Sequence, residues 1–167
     1  MKKLIVLPLI IALLFIGKKS WGYYNKYHHA NRIKVGVESF NFPTLNLSSL
    51  LSDIELNINI GLGNFSPSTF NITQINVDVF DVDGKLIAEQ TTPLKNKVVM
   101  TPNENTTLPL TYTISSQQLN NLIMAAGGYI SVGQNYITSG KYGIKINLKG
   151  FVDADGFTID INETMTV

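Results

Sequence analysis

The chain has 167 residues, enough for one domain of ordinary size and a short extra segment; 44 % are apolar, 15 % are charged, and the formal net charge is +1. It contains no cysteine, which excludes disulfides, zinc–thiolate sites, cysteine nucleophiles and lipid attachment through cysteine. Lys and Arg do not cluster on the folded part, so nothing points to a nucleic-acid partner.

The N-terminus reads as a separate object. Lys2 and Lys3 precede a continuous apolar run from Leu4 to Ile16 that includes Ile5, Leu7, Leu9, Ile10, Leu13, Leu14 and Phe15. The run is short for a membrane span, which takes about 20 residues, and has the length of a signal-peptide core. Yet Lys18 and Lys19 follow it where a small-x-small cleavage site would stand. Lysine stems snorkel and lengthen an apolar stretch, and Trp21, Tyr23 and Tyr24 have the composition of an interfacial belt. Residues 1–31 are therefore expected to comprise a retained hydrophobic helix, Leu4–Ile16, that anchors the chain in a lipid membrane by a single pass, and a basic, aromatic linker after it, with a cleaved signal as the alternative. More basic residues follow the run (Lys18, Lys19, Lys26, Arg32, Lys34) than precede it, which leans the C-terminal part to the cytoplasmic side.

From residue 32 to 167 the dominant signal is alternation with period two. Ile33, Val35 and Val37 form one stripe. Ile54, Leu56, Ile58, Ile60 and Leu62 form another; Leu108, Leu110, Tyr112 and Ile114 a third; Ile144, Ile146 and Leu148, and then Phe157, Ile159 and Ile161, complete the set. One apolar and one polar face per strand is the mark of antiparallel sheets packed on one side. In "FNITQINVDVF" the stripe changes phase between Ile72 and Ile75, which predicts a bulge at Thr73 or Gln74. One segment reads as a helix: Ser115 or Ser116 caps it, Leu119, Leu122, Ile123 and Ala126 follow at helical spacing, and Gly127-Gly128 stops it. The predicted class is all-β, an antiparallel sandwich of fibronectin or immunoglobulin type with about seven strands and one short helix.

Two copies of an Asp-x-Asp-Gly pattern, Asp81–Gly84 and Asp153–Gly156, raise the question of calcium. Placing each Gly at position 6 of an EF-hand loop puts Val79 and Phe151 at position 1, and Gln90 and Asn162 at position 12. The end carboxylates are missing from both. Asp83-Gly84 and Asp155-Gly156 are instead expected to be hairpin turns, because Gly accepts positive φ without a Cβ clash.

The stretch "IELNINIGLGNFSPSTFNITQINVDVFDVDGKLIAEQ" resembles the core of the late-embryogenesis-abundant group 2 family, also known as the water-stress and hypersensitive-response domain. Asn64 stands at the family's turn with Pro67 displaced from beside it. Gly84, Ile87 and Ala88 match a short hairpin, and Gly150 takes the place of a recurring Gly in "YGIKINLKGFVDADGFTIDI". The resemblance implies a fibronectin-like sandwich without a catalytic site, acting in stress protection or as a binding or structural module.

The sequence carries little else in the way of chemistry. His28 and His29 are adjacent and far from any acidic cluster, so neither a triad nor a metal site is expected. "GGYISVGQNYITSGK" lacks the spacing of a phosphate loop. No cofactor, metal or small-molecule substrate is expected. The functional expectation is a non-enzymatic, membrane-anchored binding or structural module with a protein partner or self-assembly. The alternative is a structural protein of a bacterial virus particle, held in a virion membrane by the same anchor.

Overall fold

The computed structural model describes residues 21–46, 50–90, 94 and 96–167. The expected hydrophobic helix over Leu4–Ile16, with Lys18 and Lys19, lies outside the described residues. Among those described, no helix is long and apolar enough to cross a membrane.

Among the described residues eight strands make two antiparallel sheets: β1 (Ile33–Asn41), β2 (Ile54–Asn64), β3 (Phe70–Phe80), β4 (Leu86–Ala88), β5 (Val98–Met100), β6 (Asn105–Ile114), β7 (Lys145–Ala154) and β8 (Phe157–Thr166). The first sheet has the order β1-β2-β6. The second has the order β4-β3-β7-β8, with β5 beside the start of β3. Alternation explains the layering. Ile54, Leu56, Ile58, Ile60 and Leu62 of β2 are all buried, and they meet Val77, Val79, Ile146, Leu148 and Val152 of the other sheet in one shared core. The chain thus has a sandwich-like two-sheet architecture.

The phase change in β3 is a bulge. The β3–β7 register shifts between Ile72 and Gln74, and the Thr73 hydroxyl donates to the Asp153 carboxylate at 2.6 Å. At β7, Gly150 lies opposite Val77. A Cβ there would run into the Asn76 carbonyl oxygen and come within 2.6 Å of Val77 Cα, so the close approach of β7 to β3 requires glycine.

Two corrections to the sequence reading concern helices. The expected single helix is α2 (Ser116–Ala125), capped by Ser115, whose hydroxyl accepts from Gln118 N–H while the Gln118 side chain returns the bond. A further helix follows it directly, α3 (Gly128–Ser139). Its start has two left-handed glycines, Gly127 and Gly128, and no side-chain cap, and its composition is rich in β-branched residues. Packing holds it: Val132 is buried, and the Tyr136 ring stacks on Tyr142 at 4.6 Å and 8°. The other helix, α1, occupies residues 21–30, where the sequence suggested a linker. Its last residue, Ala30, is buried in the sandwich core.

The strand directions give the molecule two ends. One carries α1, the β2–β3 connection and the β7–β8 turn. The other carries α2 and α3. Strands of ten or eleven residues separate them by about 35 Å.

Candidate functional site

The α1 end concentrates the sequence-predicted interfacial residues that are described. In a helix, residues 23, 26, 27 and 30 share one face, and 21, 24 and 28 another. The first face meets the sandwich. Tyr23 and Tyr27 place their rings 6.1 and 6.0 Å from Phe157 at the start of β8. The Lys26 ammonium lies 5.6 Å above the Phe70 ring and donates to Asp155 Oδ2 at 2.7 Å. Next to this face, His29 Nδ1 is 2.7 Å from Ser68 Oγ. The second face points away. Trp21 and Tyr24 stack at 6.1 Å, and Tyr24 meets His28 edge-on at 4.6 Å. Trp21 is 66 % exposed. Of the three expected interfacial aromatics, Tyr23 lies near the Phe157 ring and Trp21 and Tyr24 lie on the other stripe, yet all three are more than half exposed.

Asp155 joins the elements at this end. Asp155-Gly156 is the two-residue turn of the β7–β8 hairpin, with φ values of 54° and 85° and Ala154 paired to Phe157. The Asp155 carboxylate also accepts from Asn71 N–H (3.2 Å) and Asn71 Nδ2 (2.9 Å), so it ties turn, bulged strand and α1 together. Burial alone would push its pKa up. The hydrogen bonds from Lys26 and Asn71, together with the Lys26 charge, outweigh burial and hold it below the usual carboxylate range. The other Asp-Gly pair closes a different turn. Gly84 N–H donates to Asp81 C=O, Gly84 has φ 80°, and the Asp81 carboxylate accepts from Asp83 and Lys85 N–H. In both turns these contacts run from carboxylates to backbone N–H groups and side-chain donors. Among the described residues no three His, Cys, Asp or Glu side chains gather as a metal would need.

The surface that supports α1 is a buried polar knot. Asn64 and Ser66 are both fully buried. Asn64 Nδ2 donates to the carbonyls of Ser68 (2.8 Å), Thr101 (3.0 Å) and Met100 (3.3 Å), and Asn64 Oδ1 accepts from Ser66 N–H and Oγ–H. This knot fixes the Ser66–Ser68 turn on which His29 rests. The Asn-turn seen in the sequence is thus a side-chain network. Sequence reasoning counted Lys26 among the basic residues after the apolar run and missed its tie to Asp155 and the contact of Tyr27 with Phe157. The 23/26/27/30 spacing was the available signal.

No family model and no curated protein matches the chain. Solved structures resemble it at low identity. A structural-genomics target known from X-ray work is 10 % identical, covering 81 % of this chain and 85 % of that one, with a TM-score of 0.47. A protein from Archaeoglobus fulgidus is 14 % identical, covering 79 % and 98 %, with a TM-score of 0.40. A β-glucuronidase of glycoside hydrolase family 2 is 12 % identical with a TM-score of 0.46; the match covers 81 % of this chain but 11 % of that enzyme. At these identities and scores the neighbours say nothing of what this chain does.

At the α1 end the His29 imidazole lies on the Ser68 hydroxyl, and among the described residues no carboxylate is bonded to that imidazole. The arrangement ties one helix to the sandwich through Lys26–Asp155, the Phe157 ring contacts and buried Ala30, and leaves its aromatic side chains largely exposed.

Proposed function

We propose that the protein is a non-enzymatic β-sandwich of the late-embryogenesis-abundant group 2 type, with fibronectin-like sheets, anchored in a membrane by Leu4–Ile16 and working by contact at the lipid surface. The observation that carries this reading is the helix α1. It is tied to the sandwich by Lys26–Asp155 and Tyr23/Tyr27–Phe157, and all four of its aromatic side chains, Trp21, Tyr23, Tyr24 and Tyr27, stay more than half exposed. Indole and phenol rings partition to the headgroup level, where an apolar body and a polar tip are both accommodated. A clamped helix, unlike a flexible linker, fixes the attitude of the sandwich above the lipid.

Trp21 is the chain's only tryptophan, which makes a direct test available. In vesicles of lipids brominated along their acyl chains, the full-length chain should float with the lipid and its fluorescence should be quenched. Ile10→Arg, which places a charge at mid-span at a cost of about 2.5–3.5 kcal/mol, should abolish both. Flotation and quenching that persist in Ile10→Arg would sink the anchor, and a parent chain that stays in the soluble fraction would sink the whole reading.

A further inference from the structure

Among the described residues, large exposed apolar side chains gather at both ends of the molecule. One of those at the α1 end stands in a turn. Phe65 follows β2 directly, and with its two neighbours it reverses the usual order of burial. Asn64 and Ser66 are fully buried, while Phe65 is 54 % exposed. In water a surface turn is most stable with its amide and hydroxyl outside and its phenyl ring inside. Here the bonds from Asn64 to the carbonyls of Ser68 and Thr101, and from Ser66 to Asn64, fix the backbone on both sides of Phe65 and hold the ring outward.

The ring is tied to the end of α1. Phe65 N–H donates to the Arg32 carbonyl at 3.3 Å, and Arg32 N–H donates to the His29 carbonyl at 3.0 Å. The Lys34 ammonium lies 5.6 Å from the centre of the Phe65 ring. Among the described residues neither Arg32 nor Lys34 enters an ion pair, whereas Lys26 is taken up by Asp155. The nearby acids are occupied locally: Asp153 accepts from the Thr73 hydroxyl and Glu104 from the Thr101 hydroxyl. A phenyl ring with an uncommitted ammonium beside it suits a lipid boundary, where the acyl layer takes the ring and a phosphate takes the cation.

Chain length places that boundary at this end. The apolar run closes at Ile16, and the five steps from Ile16 to Trp21 cover at most about 18 Å in any conformation. With the run in a membrane, Trp21 stands within that distance of it. From Trp21 to Ala30 a helix spans about 15 Å, and the far end of α1 is the one bonded through Arg32 to Phe65. We propose that Phe65 is a second lipid contact. The sandwich then stands on the membrane at two points, α1 on the side of β8 and Phe65 on the side of β2, with Lys34 at phosphate level beside the ring. This inference rests on the membrane reading above.

The test moves the chain's only tryptophan. In the full-length chain with Trp21→Phe and Phe65→Trp, phosphatidylcholine vesicles brominated on the upper part of their acyl chains should quench the emission about twofold relative to unbrominated ones. The control, Trp21→Phe with Val82→Trp, puts the indole at an exposed turn of the opposite end and should keep its emission. Should the larger ring unfold the turn, a nitroxide on Phe65→Cys gives the same reading in a chain without native cysteine. That label should be more accessible to oxygen than to a water-soluble nickel chelate, with the order reversed for Val82→Cys. A chain that floats with the vesicles while the indole at 65 keeps its emission overturns the second contact and leaves the anchor standing. A chain that does not float overturns both. Equal quenching at 65 and 82 overturns the inference, and so does an indole at 65 that is shielded from acrylamide yet unquenched by bromine, because a protein would then cover it.

Discussion

The phenol of Tyr112 on β6 crosses the core and donates to the carbonyl oxygen of Val77 on β3 at 2.9 Å. The same residue's N–H donates to Gln90 Oε1 at 3.2 Å. β3 pairs with β5 at its start and with β4 at its end, and among the described residues no strand pairs with its edge between them at Val77. Tyr112 and Gln90 supply with side chains what a continuous neighbouring strand would supply with backbone. They also stitch one sheet to the other.

Tyr112→Phe keeps the ring and leaves the Val77 carbonyl without that donor. We expect a loss of about 1–2 kcal/mol in denaturant unfolding at neutral pH, with an unchanged slope. Burial, and then the nearby Asp78 carboxylate, push the phenol's pKa above its ordinary value. A raised folded-state pKa contributes stability that is fully present below the unfolded value, about 10, and is lost as pH rises beyond it. The parent should therefore lose stability steeply above about pH 10, and Tyr112→Phe should lose it less steeply. Parallel curves for the two would contradict this role.

Gly150→Ala should be among the most damaging single-methyl changes in the protein. The added Cβ has only β3 backbone to push against, at Asn76 and Val77, and backbone in a paired strand does not yield as a flexible side chain would. We expect a loss of about 3 kcal/mol, at the upper end for overpacking. A melting temperature within a degree or two of the parent would show that β7 can slide away from β3.

Asn64→Leu is nearly isosteric, but it removes the side-chain donor from the Met100 and Thr101 carbonyls and the acceptor from the Ser66 N–H, while the Ser66 hydroxyl and the Ser68 carbonyl keep each other. Each unsatisfied buried group costs about 1–3 kcal/mol, so a loss of about 3 kcal/mol or more is expected, accompanied by faster hydrogen exchange in the Ser66–Ser68 turn. Asn64 also heads an Asn-x-Ser sequon. Its amide nitrogen is engaged in the fold, so mass spectrometry of material made in a glycosylating host should find no glycan at this site.

The six long strands were legible because each buries one face, and that leaves a period of two in the local sequence; the three-residue β4 and β5 are too short to show it. The bulge at Thr73 was legible for the same reason, as a change of phase. α3 was not. Its glycines, its lack of a cap and its Ile, Val and Thr content argue against a helix locally, and only packing against Tyr142 and the sandwich reverses the balance. α1 was hidden differently. Its aromatics fit an interfacial belt by composition, and the division into an inner and an outer stripe depends on Phe157, Phe70 and Asp155, which lie far away in sequence. Asp155 was read as turn chemistry. Its second task, as the anion for Lys26, is a tertiary fact that no local pattern encodes.

That second task gives the last prediction. Asp155→Asn preserves a residue type that tolerates φ 54° and can still bond Asn71, so it isolates the charge. The side chains of Lys26 and Asp155 are 37 % and 18 % exposed, so solvent screens the pair and the expected cost is modest, about 0.5–1 kcal/mol. It should appear locally, as roughly two- to fivefold faster hydrogen exchange across residues 23–30, with little change in the strands. The pH dependence follows from the sign of the shift. Asp155 has its folded-state pKa lowered, so its contribution is present above the ordinary carboxylate value of about 4 and is lost as pH falls through the lowered one. In the parent, protection of α1 should fall on acidification below about pH 4 while the core stays protected. In Asp155→Asn that acid step should be missing. An identical acid step in both proteins would mean that a titrating group other than Asp155 sets the acid sensitivity of α1.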